Sequence, residues 1–306
     1  MDKQILEIAN DDMFLSIKRG FCVIANNDKK IAEIPLDNIL SLIISSNNIT
    51  ISKNVINAIT ECDGVIIFCG KNYMPTSITL PYTSHWQNGE RIRRQISAST
   101  PLQKSLCKTL IRKKIYNQAL VLEWIKPESK KIERLKYLSK TVKSGDTTNN
   151  EAISAQIYFK ELFGKDFVRN RNANDVNIFL NYTYIVLRAC VARAIAGAGL
   201  LPALGIIHTN KLNPFTLVDD LIEPYRPLAD FIVFETLKNL EKTSDLELTP
   251  EIKRNLAEIT SLNLDNIKGQ KTLSNSLFDT ANSLAKSYNQ KKNLLEIDNY
   301  IDDLIK

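Results

Sequence analysis

Cysteine is scarce in this chain and poorly arranged for either of its structural uses. The five residues at 22, 62, 69, 107 and 190 are odd in number, scattered, and mostly set in apolar runs, and no CxxC pair occurs. That spacing excludes a zinc knuckle and a disulfide framework and leaves buried free thiols. Long uninterrupted hydrophobic runs are also missing. The most apolar stretch, "YIVLRACVARAIAGAGLLPALGII" at 184–207, carries Arg188 and Arg193 in its interior, where a bilayer centre would penalise them. No transmembrane helix and no membrane partner are therefore expected. The opening "MDKQILEIAND" has no long apolar region behind a basic start, so no secretory signal is visible and a cytoplasmic location is the expectation. There is no GxxxxGK[ST] phosphate loop, no internal repeat and no low-complexity segment. Histidine is nearly absent, with two rings, His85 and His208, in 306 residues.

What is present is the composition of a folded protein, 44% hydrophobic and 24% charged, in a chain long enough to favour two domains over one. The charge is unevenly spread. Residues 1–80 hold 7 basic and 9 acidic side chains, residues 81–200 hold 21 and 9, and residues 201–306 hold 12 and 16. "RIRRQ" (91–95), "KTLIRKK" (108–114) and "KPESKKIERLK" (126–136) supply much of the central excess, at spacings that leave several cations on exposed helix faces. Such faces attract polyanions by releasing their counterions, and nucleic acid is the first partner to consider; plain solvated surface is the alternative.

The pattern of apolar residues divides the chain at about residue 82. Before it, "FLSIKRGFCVIANNDKKIAEIPL" (14–36) reads as two β-rich runs around a hairpin signal. "LSLIIS", "NITIS", "GVIIFCG" and "SITLPY" follow, with one helical interruption at "KNVINAITECD" (53–63). After Pro81 the period changes from two to about 3.6. Helices are predicted at 100–126, with Thr100 as N-cap and Pro101 opening the helix, and at 131–143, 151–163, 175–197, 214–222, 227–242, 250–260 and 271–288. The last stretch, "NQKKNLLEIDNYIDDLIK", reads as a closing amphipathic helix. The expected architecture is α+β: a small β-rich domain over 1–82 and a larger all-helical domain over 83–306.

Three places in the helical part carry chemistry. Glu151 lies four, seven, eight and eleven positions before Ala155, Tyr158, Phe159 and Leu162, which puts it on the apolar stripe of its helix. It is either a first-turn glutamate favoured by the helix dipole or a carboxylate in need of a cation. His208 follows "GAGLLPALGII", whose glycines and proline permit tight turns; it is either a satisfied core ring or a ligand. In "NPFTLVDDLIEPYRPLAD" (213–230), Asn213 and Pro214 read as cap and first helical residue, and Asp220 and Glu223 fall on one face just before Pro224 breaks the helix. Either they converge on an ion or they form a surface acidic cluster paired with Arg226. His85, beside Trp86 and the arginines of 91–94, suits phosphate contact and base stacking or a packed linker.

Taken together, "NNEAISAQIYF", "NRNANDVNIFLNYTYIVLRACVARAI", "GIIHTN" and "LVDDLIEPYRPLAD" resemble, in order and spacing, the motifs of the Cas1 family, the CRISPR-associated endonucleases and integrases of spacer acquisition. The resemblance runs from the β-rich start to about residue 240, in the compact form found with type II systems. It implies a divalent metal, Mg²⁺ or Mn²⁺, held by Glu151, His208 and Glu223 as the catalytic centre, with Asp220 as an additional acidic position. It implies attack by a DNA 3′-hydroxyl on a phosphodiester, with double-stranded DNA (prespacer and repeat) as substrate. A branched-DNA nuclease that cuts without joining, and a DNA-binding scaffold without catalysis, are the alternatives. It also implies a homodimer formed through the β-rich domain, a small Cas2 partner and other type II CRISPR proteins. Candidates for phosphate contact are Arg91, Arg93, Arg94, Lys113, Lys114, Arg169 and Arg171, and Asn181, Tyr182 and Tyr184 lie on a face that could approach the metal pocket.

Overall fold

A computed structural model describes residues 4–27, 29–70, 75–81, 87–170, 172–173, 175–208, 210–240, 247–266 and 269–299. His85, Trp86 and Arg171 lie outside the described residues. The chain is α+β and divides into two compact units, Met1–Trp86 and Gln87–Lys306.

The first unit holds two four-stranded sheets. In one, β1 (Gln4–Ile8), β5 (Ile39–Ile44) and β7 (Val65–Cys69) run parallel, and β8 (Pro75–Thr79) closes the edge antiparallel to β7. In the other the order is β4 (Lys29–Pro35), β3 (Phe21–Asn26), β2 (Met13–Lys18) and β6 (Ile49–Ile51). Every residue of β5 is buried, as its unbroken "ILSLII" demands of a strand covered on both faces. Helix α1 (Lys53–Glu61) sends Val55 and Ile59 into the core beside Leu15, Cys22 and Ile66. The segment 14–36, read as two β-rich runs, forms three strands, β2, β3 and β4. Arg19 (φ 49°) and Gly20 (φ 83°) both adopt the left-handed conformation of a tight hairpin turn, and the glycine is what makes the pair affordable.

The second unit is mostly helical. It contains α2 (Asn88–Ile96), α3 (Thr100–Ile125), α4 (Lys131–Thr141), α5 (Asn150–Phe163), α6 (Val176–Gly197), α7 (Thr216–Leu221), α8 (Arg226–Asn239), α9 (Pro250–Ala257) and α10 (Leu273–Gln290). Helix α6 is predominantly apolar and buried almost throughout. By length and composition it could cross a membrane, but 83% of its apolar window is buried inside the fold. Helix α3 packs along α4, α5 and α8.

Three expectations need correction. The second unit is not all helix, because β9 (Asn263–Asn266) and β10 (Gly269–Thr272) form an antiparallel hairpin before α10. Helix α7 begins at Thr216: the Asn213 side chain accepts from the Phe215 amide at 3.0 Å, and that local bond holds the chain in a turn for two further residues. Residues 291–299 do not form the closing helix, and 300–306 lie outside the described residues. Helix α10 ends at Lys291 in the left-handed conformation, and polar side chains then hold the irregular tail. Asn293 donates to Ser105 and Thr109 of α3, and the amides of Leu294 and Glu296 donate to Ser287 and Ser283 of α10.

Candidate active site

The loop 198–208, between α6 and α7, is fixed from two sides. Helix α2 holds its start: Gln95 donates to the Leu201 and Leu204 carbonyls and accepts from the Leu201 amide, and Arg91 donates to the Ala198 carbonyl at 2.6 Å. Helix α7 holds its end through Thr216, whose hydroxyl donates to Ala203 and accepts from the Gly205 amide. Gly205 is required by contact: a Cβ there would lie 2.6 Å from the His208 carbonyl oxygen and 2.9 Å from Asp220 Oδ2.

Asp220, fully buried, forms a cradle for the next three residues of that loop. Its Oδ2 accepts the amides of Ile206 and Ile207, and its Oδ1 accepts the His208 amide at 3.1 Å and stands 2.5 Å from His208 Nδ1. Both oxygens are thus engaged by donors, and Asp220 orients the His208 ring. Because the carboxylate can only accept, Nδ1 carries the proton, and in the neutral ring Nε2 presents the lone pair. The bond to Asp220 raises the His208 pKa, outweighing the opposing effect of burial, and Glu223 and Asp219 add to the rise.

Glu223 lies in a single 3₁₀ turn, Glu223–Tyr225, that Pro224 places between α7 and α8. Helix α5 brings Glu151 toward it. Its first turn is capped by Asp146, which accepts the amides of Asn150 and Glu151 at 3.0 Å each. Between the two glutamates stands Lys114 of α3, whose Nζ is 2.6 Å from Glu151 Oε1 and 2.6 Å from Glu223 Oε2. Those two oxygens are therefore no farther apart than the sum of the two contacts. Arg226 approaches the other Glu223 oxygen at 3.2 Å. Burial on its own would lower the Lys114 pKa and raise that of Glu223, but the opposite charges outweigh it. Glu223 and Glu151 hold the ammonium above its usual value, and Arg226 and Lys114 hold the Glu223 carboxyl below its own.

The sequence candidates separate accordingly. Glu151, Glu223 and the His208–Asp220 pair are all positioned by the α3, α5 and α7–α8 region. Lys114 is not on an exposed helix face but buried between carboxylates, because it lies four residues after Leu110 and three after Ile111 on the buried side of α3. Arg91 is spent on the Ala198 carbonyl. Arg169 donates to Asn177 and Asn181 at 2.7 Å each and lies over the Tyr184 ring, 5.2 Å from its centroid. Arg93 and Arg94 are exposed, the latter 3.6 Å from Glu90, and Lys113 is half-buried against Asn299 and the Tyr116 ring. Tyr182 is buried with Lys253 over its ring, and Tyr184 lies under Arg226 as well and donates its hydroxyl to Asp230. Sequence reasoning missed Lys114, Gln95 and Asp230 as parts of this region. For Lys114 a signal existed in its place on the apolar stripe; for Gln95 and Asp230, whose partners lie far along the chain, none did.

The family described as CRISPR associated protein Cas1 matches this chain over residues 6–258. A CRISPR-associated endonuclease Cas1 of Neisseria meningitidis serogroup C is 40% identical over 242 residues, covering 79% of this chain and 78% of the relative. The chain belongs to the Cas1 family. Among solved structures, a casposase bound to integration product superposes with a TM-score of 0.80 at 20% identity, covering 96% of this chain and 92% of that one. A Cas6-RT-Cas1–Cas2 complex gives 0.78 at 16% identity, covering 97% of this chain and 36% of that one. At those identities the likeness speaks for the Cas1 fold.

Among the described residues, no three His, Cys, Asp or Glu side chains stand together as a ready metal cage. The donors nevertheless suit a hard divalent cation. Two carboxylates already converge on one positive charge, and Glu223 Oε2 is buried with no directional hydrogen bond, its approach to Lys114 being an ion pair. The neighbouring imidazole, when neutral, offers Nε2 as a lone pair. Two oxygens and one nitrogen are a set that Mn²⁺ accepts readily and Mg²⁺ tolerates.

Proposed function

We propose that this Cas1-family chain is a divalent-metal-dependent DNA endonuclease and integrase that inserts captured DNA fragments into a CRISPR array. The observation that carries the reading is the convergence of Glu151 and Glu223 on one buried cation beside the Asp220-oriented His208. In the reaction, the 3′-hydroxyl of a fragment attacks a phosphodiester of the repeat. One phosphorus–oxygen bond forms as another breaks, the hydroxyl proton is released, and a new 3′-hydroxyl leaves. Because one phosphodiester replaces another, no nucleotide cofactor is needed.

Glu151, His208 through Nε2, and Glu223 are the side chains that would hold Mg²⁺ or Mn²⁺. Such an ion supplies Lewis-acid polarisation of the phosphate, a lower pKa for the attacking hydroxyl and compensation of charge on the leaving oxygen. Asp220 keeps the ring in the ligating tautomer. Arg226 neutralises the Glu223 oxygen turned away from the site, and the ties from Gln95, Arg91 and Thr216 keep the His208 loop from drifting. Arg93 and Arg94 of α2 are exposed and remain candidates for phosphate contact.

The reading extends to a cytoplasmic homodimer formed through the β-rich unit, working with Cas2 and with other type II CRISPR proteins on prespacer and repeat duplexes. The Cas2 named in the complex whose Cas1 fold this chain shares supports that partner. The test is incubation of supercoiled plasmid carrying a leader and repeat with DNA fragments and Mn²⁺. Joined products that vanish in Glu151→Ala, His208→Ala and Glu223→Ala support the integrase. Cleavage without joining supports the branched-DNA nuclease, and joining that survives all three substitutions rejects the site.

A further inference from the structure

Lys114 has no part in the scheme above, and its position argues for one. The two carboxylates proposed as ligands would repel each other across a partly dry site, and Lys114 Nζ, 2.6 Å from an oxygen of each, now compensates them. The ammonium is itself buried, with 11% of its side chain exposed, and Glu223 is more so. With Arg226 on the far oxygen of Glu223, the group Glu151, Glu223, Lys114 and Arg226 is electrically balanced without any metal.

A divalent ion cannot join that group as it stands. It would share the two carboxylates with Lys114, which holds one oxygen of each, and an ammonium left a few ångströms from two added positive charges would be strongly repelled. The lysine stem is long and flexible, so the ammonium can swing off the carboxylates, but it must then find another anion or stand buried and unpaired. A DNA phosphodiester at the site supplies that anion.

We propose that Lys114 is a built-in counter-cation that keeps the metal site closed until a DNA phosphate arrives, when the ammonium passes from the two glutamates to the phosphate and the divalent ion takes its place. The inference rests on the assignment of Glu151 and Glu223 as metal ligands. Metal and DNA binding are then mutually reinforcing, and by linkage each tightens the other by the same factor. The exchange moves ions only; no covalent bond is made or broken.

The test measures Mn²⁺ affinity of the full chain by the electron paramagnetic resonance of unbound Mn²⁺, with and without duplex DNA whose ends lack 3′-hydroxyls. Wild-type protein should bind Mn²⁺ roughly tenfold or more tightly when DNA is present. Lys114→Met should bind it more tightly than wild type in the absence of DNA, with most of the DNA effect gone. Its metal-free melting temperature should fall and then recover on adding Mn²⁺, because two unpaired carboxylates regain a cation. Lys114→Arg, which keeps the charge, should retain the DNA dependence. Wild-type affinity indifferent to DNA, or a Lys114→Met affinity equal to or weaker than wild type, overturns the proposal, and the wild-type comparison decides even where the methionine variant does not fold. Glu151→Gln and Glu223→Gln separate the two levels: if neither weakens Mn²⁺ binding, the ligand assignment itself has failed.

Discussion

Replacing Asp220 by asparagine should damage the protein more than any other single-atom exchange in the site. The wild-type carboxylate, with no exposed surface, satisfies three consecutive backbone amides and the His208 ring through its two oxygens. Asparagine offers one accepting oxygen and turns an NH₂ toward the other donors, so either the Ile206 and Ile207 amides or the two His208 donors lose their partner. A hydrogen bond to a charged group contributes about 1.5–3 kcal/mol, and a buried donor left unpaired costs about 1–3 kcal/mol. Two lost donors therefore amount to about 3–5 kcal/mol, allowing for relaxation of the loop. For a unit of this size that corresponds to a melting temperature lower by roughly 6–20 °C. Urea unfolding followed by far-ultraviolet circular dichroism would measure it, with Glu123→Gln as control, since Glu123 is exposed and pairs with Lys136 at the surface. The control should lose under about 1.5 kcal/mol. A loss below about 1 kcal/mol in Asp220→Asn would refute the claim that this carboxylate holds the His208 loop.

The other expectations concern the same region. Gly205→Ala pushes a Cβ to 2.6 Å from the His208 carbonyl oxygen, and the backbone shift it forces should cost about 1–3 kcal/mol and weaken Mn²⁺ binding; a variant with unchanged unfolding midpoint and unchanged metal affinity contradicts that close approach. Asp230 is pushed by burial to a pKa of about 6 against the bonds and charges of Tyr184 and Arg226. Its folded form holds a proton that the unfolded chain, at 3.8, has lost, so its contribution to stability is greatest below the unfolded value and declines as pH rises through about 6. Asp230→Asn keeps an oxygen for the Tyr184 hydroxyl and lacks the ionisation, so relative to wild type it should gain up to about 3 kcal/mol across that window. Urea unfolding at several pH values tests this, and parallel wild-type and variant profiles would count against it.

Much of this arrangement is legible in the chain itself, for reasons that differ from element to element. The long helices α3 and α6 and the buried strand β5 are visible because their apolar residues repeat over enough length to fix a period. Glu151 stands out because it precedes Ala155, Tyr158, Phe159 and Leu162 at helical spacing, and of these Tyr158 and Leu162 are buried. Lys114 is hidden by arithmetic: a count of basic residues treats every lysine as surface, and only its neighbours Leu110, Ile111 and Gln118 reveal that this one points inward. The tail after Gln290 fails for another reason. "NLLEI" has the apolar spacing of a helix, but hydroxyls on α10 accept its backbone amides and the Asn293 side chain donates to α3, which hold the chain out of a further helical turn. Asp230 and Gln95 answer to partners 46 and 106 residues away, which no local pattern can show.

The central claim is that Glu151, His208 and Glu223 close on one divalent ion. Anomalous diffraction from crystals of the protein with DNA and Mn²⁺ tests it most directly. The account predicts one strong peak within about 2.5 Å of a Glu151 oxygen, a Glu223 oxygen and His208 Nε2, with the Lys114 ammonium moved off both carboxylates. Mn²⁺ bound by other side chains, or an empty site with Lys114 still bridging the two glutamates, would contradict it.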